Sequence, residues 1–302
     1  MVKTTARGRF TFSGGVHPAQ RKEFTSEIEI KPGPAVKQVA VMLSQHTGAA
    51  CQPIVKKNDQ VEAGQKIGDV DAFVSAPVHS PVKGKVKEIS LQSHIALGRS
   101  PAVVIGVDGD NNLPALPSSD RFAEDFNTDK FSAEQIRQAI REAGIVGMGG
   151  AGFPTAVKLA PTPKAPKEIL IVNGCECEPY ITCDYRIMLE WTDQIIAGIK
   201  LAGKAADCKQ VFVGIEDNKP KAIEAINAAL EKSVKNDSIK VVPVKTKYPQ
   251  GGERQLIKAI LKKDVPTGGI PPMIGVVVLN VATVAAIAEA VIYSKPLTHR
   301  VV

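Results

Sequence analysis

Apolar positions along this chain fall into two textures. Over the first hundred residues they come as short β-branched runs cut by Gly and Pro, as at Lys31-Pro32-Gly33-Pro34, Val61-Glu62-Ala63-Gly64-Gln65 and Ser75-Ala76-Pro77-Val78-His79-Ser80-Pro81. Runs of this kind between turn formers predict strands, so an all-β N-terminal unit is expected. Beyond about residue 130 the pattern lengthens. Ser132-Ala133-Glu134-Gln135 is a capping box that opens a helix, and Gly144 should close it. A buried strand is predicted over 168–172, a helix over 184–202 ending at Gly203, a strand over 210–215, and a helix from Pro220, capped by Asn218, to about Lys232. A strand over 239–244, a helix over 253–263, a strand over 274–279 and a helix over 281–292 complete the series. Strands alternating with helices predict an α/β unit whose mainly parallel sheet is covered on both faces. The polar, turn-rich stretch 107–129 reads as a linker, which divides the chain into domains 1–115 and 116–302.

Composition narrows the function classes. At 302 residues two domains are expected, and 44% apolar residues is ordinary for soluble globular protein. The formal charge of +7 admits nucleic acid, an anionic membrane face or an acidic protein partner, but the lysines are scattered and only 5% of residues are aromatic. Base-stacking platforms are poorly supplied, so no nucleic acid partner is expected. Lys83, Lys85 and Lys87 alternate with Gly84 and Val86, which puts three charges on one strand face; it reads as a solvated face or as a docking patch for an acidic partner. The first seven residues hold no apolar h-region, so a cytoplasmic protein is expected. Residues 273–293 are apolar but interrupted by Asn280, Thr283 and Glu289, and read as a buried strand followed by a helix, not a membrane span.

Five cysteines without an export signal argue against a disulfide framework. No C-x-x-C pair exists, and no complete metal or iron–sulfur motif is present. Cys175, Cys177 and Cys183 lie within nine residues, which leaves a shared metal site open.

The densest chemistry lies at Gly147-Met148-Gly149-Gly150-Ala151-Gly152-Phe153-Pro154-Thr155, with Lys158 one turn on. Four glycines in six positions let the main chain take positive φ and aim several N–H groups at one ligand, so a flat or anionic group can approach the backbone. Phe-Pro-Thr then starts a helix. The loop follows a helix and not a strand, so it is not a dinucleotide fingerprint in its usual setting. In open parallel sheets ligands sit beyond the carboxyl ends of the strands. Three further loops are predicted there: Asn173-Gly174-Cys175-Glu176-Cys177-Glu178-Pro179-Tyr180, Tyr248-Pro249-Gln250-Gly251-Gly252-Glu253, and Asn280-Val281-Ala282-Thr283.

Taken in order, Gly-x-Gly-Gly-Ala-Gly-Phe-Pro-Thr with its Lys, Asn-x-x-Glu-x-Glu-Pro, Gly-Gly-Glu and Asn-Val-x-Thr resemble the flavoprotein, NADH-binding subunit of respiratory complex I and its relatives. Phe12-Ser13-Gly14-Gly15-Val16-His17-Pro18 and the form Asn-Gly-Cys-Glu-Cys-Glu-Pro resemble one branch, the RnfC (RsxC) subunits of Rnf ion-translocating electron transport complexes. The resemblance covers essentially the whole chain and implies a Rossmann-like second domain. From Val55 to Ile89 the chain also resembles the lipoyl and biotinyl carrier domains, a flattened barrel, with Asp71-Ala72-Phe73-Val74-Ser75 where a carrier presents its lysine. That unit is therefore expected to be non-lipoylated, and structural or a docking surface.

The resemblance implies a non-covalent FMN exchanging hydride with NADH. Gly147, Gly149, Gly150, Ala151 and Gly152 would lie along the isoalloxazine, Lys158 and Asn173 would bind the flavin, and Asn280 with Thr283 would hold its phosphate. Gly251, Gly252 and Glu253 join the cofactor site, Phe153 would stack on the nucleotide, and Glu176 and Glu178 would contact its ribose or nicotinamide region. Direct hydride transfer needs no acid–base pair, only stacked rings and dipoles that favour the reduced anion. Plainer readings stand beside these: Glu178 as a helix cap, Lys158 as a solvated lysine, Phe153 as core, Asn280 as the cap of the last helix.

The implied setting is the cytoplasmic side of a membrane, among other subunits of the complex and a ferredoxin-like acceptor. Family members continue into a β-grasp domain and a segment with two four-cysteine motifs for 4Fe–4S clusters; this chain stops at Val302, so a truncated form without the clusters is expected. Complex I has an acidic residue where Cys175 stands. Two rivals remain: a docking or scaffold subunit with a vestigial pocket, and an enzyme that uses a nucleotide without flavin.

Overall fold

The computed structural model describes residues 10–109, 122, 127–162, 165–232 and 238–302. The N-terminal residues read for a signal and most of the 107–129 linker lie outside them.

The β lobe holds seven strands: β1 (Gln38–Met42), β2 (Gln52–Pro53), β3 (Gln60–Val61), β4 (Lys66–Asp69), β5 (Val78–His79), β6 (Gly84–His94) and β7 (Gly98–Val107). They form a four-stranded antiparallel sheet in the order β1-β7-β6-β3 and a three-stranded antiparallel sheet in the order β2-β4-β5. Val41, Leu43, Ile67, Val82, Val86, Val103 and Ile105 fill the space between. Val82, Gly84 and Val86 point inward and Lys83, Lys85 and Lys87 outward, with Lys87 the extra residue of a β-bulge; Lys83 is paired with Glu62 at 2.9 Å. The segment Asp71–Ser75 lies in the connection between β4 and β5, where Phe73 is 80% exposed.

The α/β lobe begins with α1 (Ala133–Glu142), whose capping box is formed as predicted. Gly144 follows at φ +66°, and a Cβ there would stand 2.3 Å from the carbonyl oxygen of Pro77. Both the turn and the approach of the β lobe require a glycine. Next come α2 (Thr155–Leu159), β8 (Ile169–Gly174), α3 (Cys183–Glu190), α4 (Thr192–Ala205), β9 (Gln210–Glu216), α5 (Pro220–Lys232), β10 (Ile239–Val244), α6 (Glu253–Leu261), β11 (Val276–Asn280) and α7 (Val281–Tyr293). The sheet is parallel throughout, in the order β10-β9-β8-β11. Strands β8 and β11 carry Leu170, Ile171, Val172, Val277 and Val278, continuous apolar runs that suit a sheet buried on both faces. No helix among the described residues is long and apolar enough to cross a membrane.

Three details depart from the sequence pattern. The single helix expected over 184–202 is two, broken at Trp191, whose φ of −120° is not helical and whose indole is buried. Gly203 does not stop α4; the helix runs on to Ala205, and the chain reverses at Asp207 with φ +56°. Tertiary burial outweighs the weak helix preference of Gly here. The strand expected from Ile274 starts at Val276, because Pro271 and Pro272 open a 3-10 turn that ends at Ile274.

Residues 10–30 leave the β lobe and lie along the α/β lobe. Phe10 bridges to Val244 and Val16 to Tyr248, Tyr180 N–H donates to Gln20, and the Ile30 N–H donates to the Glu190 carboxylate. The first part of the chain therefore helps to build the loops at the carboxyl end of the parallel sheet.

Candidate functional site

From β8 the chain winds outward through β9 to β10 and then returns to place β11 on the other side of β8. Loops leaving β8 and β11 diverge, so a crevice opens between their carboxyl ends, the place where open α/β sheets bind ligands. Asn173 and Asn280 are register partners at the lip of that crevice.

The glycine loop folds over it. Gly147 N–H donates to the Phe153 carbonyl and Thr155 N–H to that of Ile145, which closes the loop at its base. The Met148 N–H donates to the Thr283 hydroxyl at 3.0 Å, and a Cβ on Gly149 would lie 3.2 Å from that of Asn280. Gly150 has φ +132° with open space where a side chain would stand. Gly147, Met148 and Gly150–Gly152 form one wall of an 800 Å³ cavity, whose other walls include Asp184, Ala282 and the β-lobe residues His46, Thr47 and His94. Thr47 grips the loop directly: its N–H donates to Gly152 and its hydroxyl to Ala151.

A second group of expected residues meets at the β8 end. Asn173 donates to the Gly251 carbonyl at 2.8 Å and accepts from the Cys175 N–H, while Gly251 N–H donates to the Cys177 thiol. Lys158 pairs with Glu253 at 2.8 Å, both part-exposed, so each offsets much of the other's field. Gly252 is the N-cap of α6, with Glu253 in its first turn. Phe153 is half-buried, and Glu178 is exposed.

Glu176 is turned inward. Its two carboxylate oxygens accept from the N–H groups of Asp184 and Tyr185, so it caps α3 from outside the helix. The cap expected of Glu178 is thus made two residues earlier. Glu176 sits at φ +50° and Tyr180 at φ +69°, a strained path that the surroundings hold in place. Lys219, buried, donates to the carbonyl of Cys175 and to Glu216; Lys22 donates to the carbonyls of Glu176, Glu178 and Ile181. Burial lowers the Lys22 pKa, and the nearby Lys219 lowers it further.

Asn280 caps α7, accepting from Ala282 N–H, and donates its amide to Asp184 at 2.6 Å. Burial, then the neighbouring Glu176, pushes the Asp184 carboxyl up to about 7. The three clustered cysteines do not converge. Cys175 faces the Gly214 carbonyl in the core and Cys177 faces Gly251, leaving Cys183 beside Glu176 and Asp184, with one potential donor atom of each within 4.8 Å of the others. Burial raises the Cys183 thiol to about 12, and both Glu176 carboxylate oxygens are engaged by the first N–H groups of α3.

Comparison with known proteins agrees with this architecture. Residues 140–289 match the family model of the Nuo51 FMN-binding domain, and residues 10–110 match that of the RnfC barrel sandwich hybrid domain. The chain is 44% identical, over 96% of its length, to the C subunit of a proton-translocating ferredoxin:NAD(+) oxidoreductase complex from Clostridium ljungdahlii, covering 62% of that protein. It is likewise 44% identical over 96% of its length to the corresponding subunit of the Na(+)-translocating complex of that kind from Acetobacterium woodii, covering 64% of it. Its counterpart in an ion-translocating oxidoreductase complex from Rhodobacter capsulatus is 41% identical over 97% of this chain and 55% of its own. The chain belongs to the RnfC family. It spans between about half and two thirds of the length of these relatives.

For an RnfC chain the question is whether the crevice suits a flavin mononucleotide. A bare stretch of main chain at Gly150 faces open space, which a flat ring requires. The N-terminus of the 13-residue α7 contributes to the cavity wall through Ala282 and favours an anionic group such as a phosphate. A volume of 800 Å³ lies within the range of cofactor pockets, about 300–1,000 Å³. The residues fit the group.

Sequence reasoning passed over His46, Thr47, Lys22, Lys219 and Asp184. The first two belong to the β lobe, and the lysines carry no motif around them. Asp184 did have a signal, an acidic residue at the start of a helix directly after the Glu-x-Glu-Pro loop.

Proposed function

We propose that this chain is the flavin-bearing, nicotinamide-reactive part of an RnfC subunit, passing electrons between NAD(H) and a ferredoxin-type carrier in a membrane ion-translocating complex. The observation that carries the reading is the glycine loop closing over the β8/β11 switch point, with Gly149 against Asn280 and Gly150 open to the cavity. The FMN-binding family model over residues 140–289 and the names of the relatives support it.

When bound, FMN supplies two-electron exchange with a nicotinamide and one-electron exchange with an iron–sulfur carrier. The protein's part is to bind, orient and polarise. Gly147, Gly149, Gly150, Ala151 and Gly152 offer main chain without side-chain bulk. Asn173, tied to Gly251, fixes the distance between two of the loops that frame the crevice. Asn280 and Thr283 hold the start of α7 and the glycine loop together, so the phosphate is assigned to the α7 N-terminus more than to their side chains, which are already engaged. Lys158 and Glu253 give a charge pair that an anionic ligand can divide. Phe153 and Glu178 remain the assigned nicotinamide contacts.

Purified protein incubated with FMN should turn yellow, quench flavin fluorescence on binding, and lose the visible band when NADH is added without oxygen. No flavin bound under any reconstitution supports the scaffold alternative. A colour that NADH leaves unchanged removes the nicotinamide half of the proposal.

A further inference from the structure

Asp184 is a residue that no motif singles out, yet it occupies a distinctive place. It is the second residue of α3, it lines the 800 Å³ cavity together with the glycine loop, and its carboxylate accepts from Asn280, the cap of α7. Two carboxyl groups, those of Asp184 and Glu176, stand within 4.8 Å of each other, and they differ in their support. Glu176 takes two main-chain N–H donors and lies above Lys219 and Lys22, whereas Asp184 is given the Asn280 amide and faces the cavity. The groups around Asp184 are Glu176 and Glu178 from the loop after β8, the Cys183 thiol on its own helix, Lys219 from the segment before α5, and Asn280 at the start of α7. Across the cavity stand His46, His94 and Arg300. Of two adjacent acids in a partly desolvated site, the one with weaker donor support and an open path to solvent holds the exchangeable proton.

We propose that Asp184 is the proton-exchanging group of this site, its carboxylate taking up one proton from solvent through the cavity when negative charge arrives at the glycine loop and releasing it when that charge leaves. The idea rests on the flavin reading of the cavity. A hydride carries two electrons and one proton, so its arrival from a reduced nicotinamide, which departs oxidised, adds one net negative charge. One solvent proton on Asp184, turning carboxylate into carboxylic acid, balances it. The neutral carboxyl also relieves its repulsion with Glu176, while the Asn280 amide retains an oxygen to which it can donate.

Two measurements test this. In protein carrying 13C-labelled aspartate and no added flavin, the Asp184 carboxyl signal, assigned by its loss in D184N, should titrate near neutral pH. With FMN bound, the pH dependence of the flavin midpoint should correspond to two protons per two electrons in the wild type at pH values just above the carboxyl titration of the oxidised protein, and to one in D184N. A carboxyl that titrates in the ordinary aspartate range, or an equal proton count in both proteins, overturns the proposal. Failure of both proteins to bind FMN sinks the flavin reading and the coupling together, while the carboxyl titration still separates a proton-exchanging Asp184 from an ordinary one. Should D184N not fold, N280A serves instead: removing the donor to the charged form should move the carboxyl titration to higher pH, and an unmoved titration counts against the proposal.

Discussion

The side-chain amide of Asn173 donates to the carbonyl of Gly251 across 2.8 Å and so fastens the loop after β8 to the loop before α6. The same side chain accepts from Cys175 N–H, which makes Asn173 a brace between these two loops. Asn173→Ala removes both bonds and strands two main-chain groups at a cost of about 1–3 kcal/mol each where they are buried. Affinity for FMN, read by fluorescence quenching, should fall roughly tenfold or more, since about 1.4 kcal/mol is a factor of ten. An unchanged affinity would place the flavin away from this brace.

Gly150→Val tests the bare backbone. A β-branched residue at φ +132° is strained by about 1–3 kcal/mol, yet no protein atom stands in the way of its Cβ. The variant should keep its far-UV circular dichroism, melt a few degrees lower and bind no FMN. Retention of FMN with wild-type affinity contradicts a ring lying against this residue.

Glu176 separates a helix cap from a ligand contact. Because both carboxylate oxygens accept from α3 N–H groups, Glu176→Ala should lower stability by about 1–2 kcal/mol, with Glu176→Gln losing less. Thermal melts read this directly. A large loss of FMN affinity at unchanged stability would instead make Glu176 a ligand contact.

His79 and Asp184 should oppose each other in acid. Burial, then Lys66, lowers His79 to about 4, and its Nδ1 is buried without a partner. The unfolded imidazole, near 6.5, binds more protons, so the His79 contribution is complete above that value and is lost as pH falls towards 4. Asp184 has the reverse sign. Raised from 3.8 to about 7, it binds a proton in the folded state that the unfolded chain releases, so its contribution is lost as pH climbs through that interval. In urea melts between pH 4.5 and 6.5, H79Q should become less stable with rising pH relative to wild type, and D184N more stable. A variant whose stability follows pH with the wild-type slope, or departs from it in the opposite sense, refutes the assignment for that residue.

Most of the α/β lobe was legible as pattern. The capping box at Ser132, the start of α5 at Pro220 and the step from β11 into α7 at Asn280 are local, since each depends on residues a few positions apart. The break at Trp191 and the helical Gly203 were not legible, because they answer to what packs against them. The glycine loop announced a ligand by its lack of side chains. Nothing nearby announced Thr47, which holds that loop from a hundred residues away.

Short-range spacing and ordered motifs were enough for the alternation of strands and helices, the loops that carry the chemistry and the family resemblance, though not for the break at Trp191. Tertiary structure alone decided which side chains are spent on the protein itself. Glu176 became a cap, Asn280 a bridge to Asp184, and Lys158 half of an ion pair, because burial and the proximity of distant segments set those partners. Strand order did the rest: β11 returns beside β8, Asn173 and Asn280 become neighbours, and the crevice opens between them.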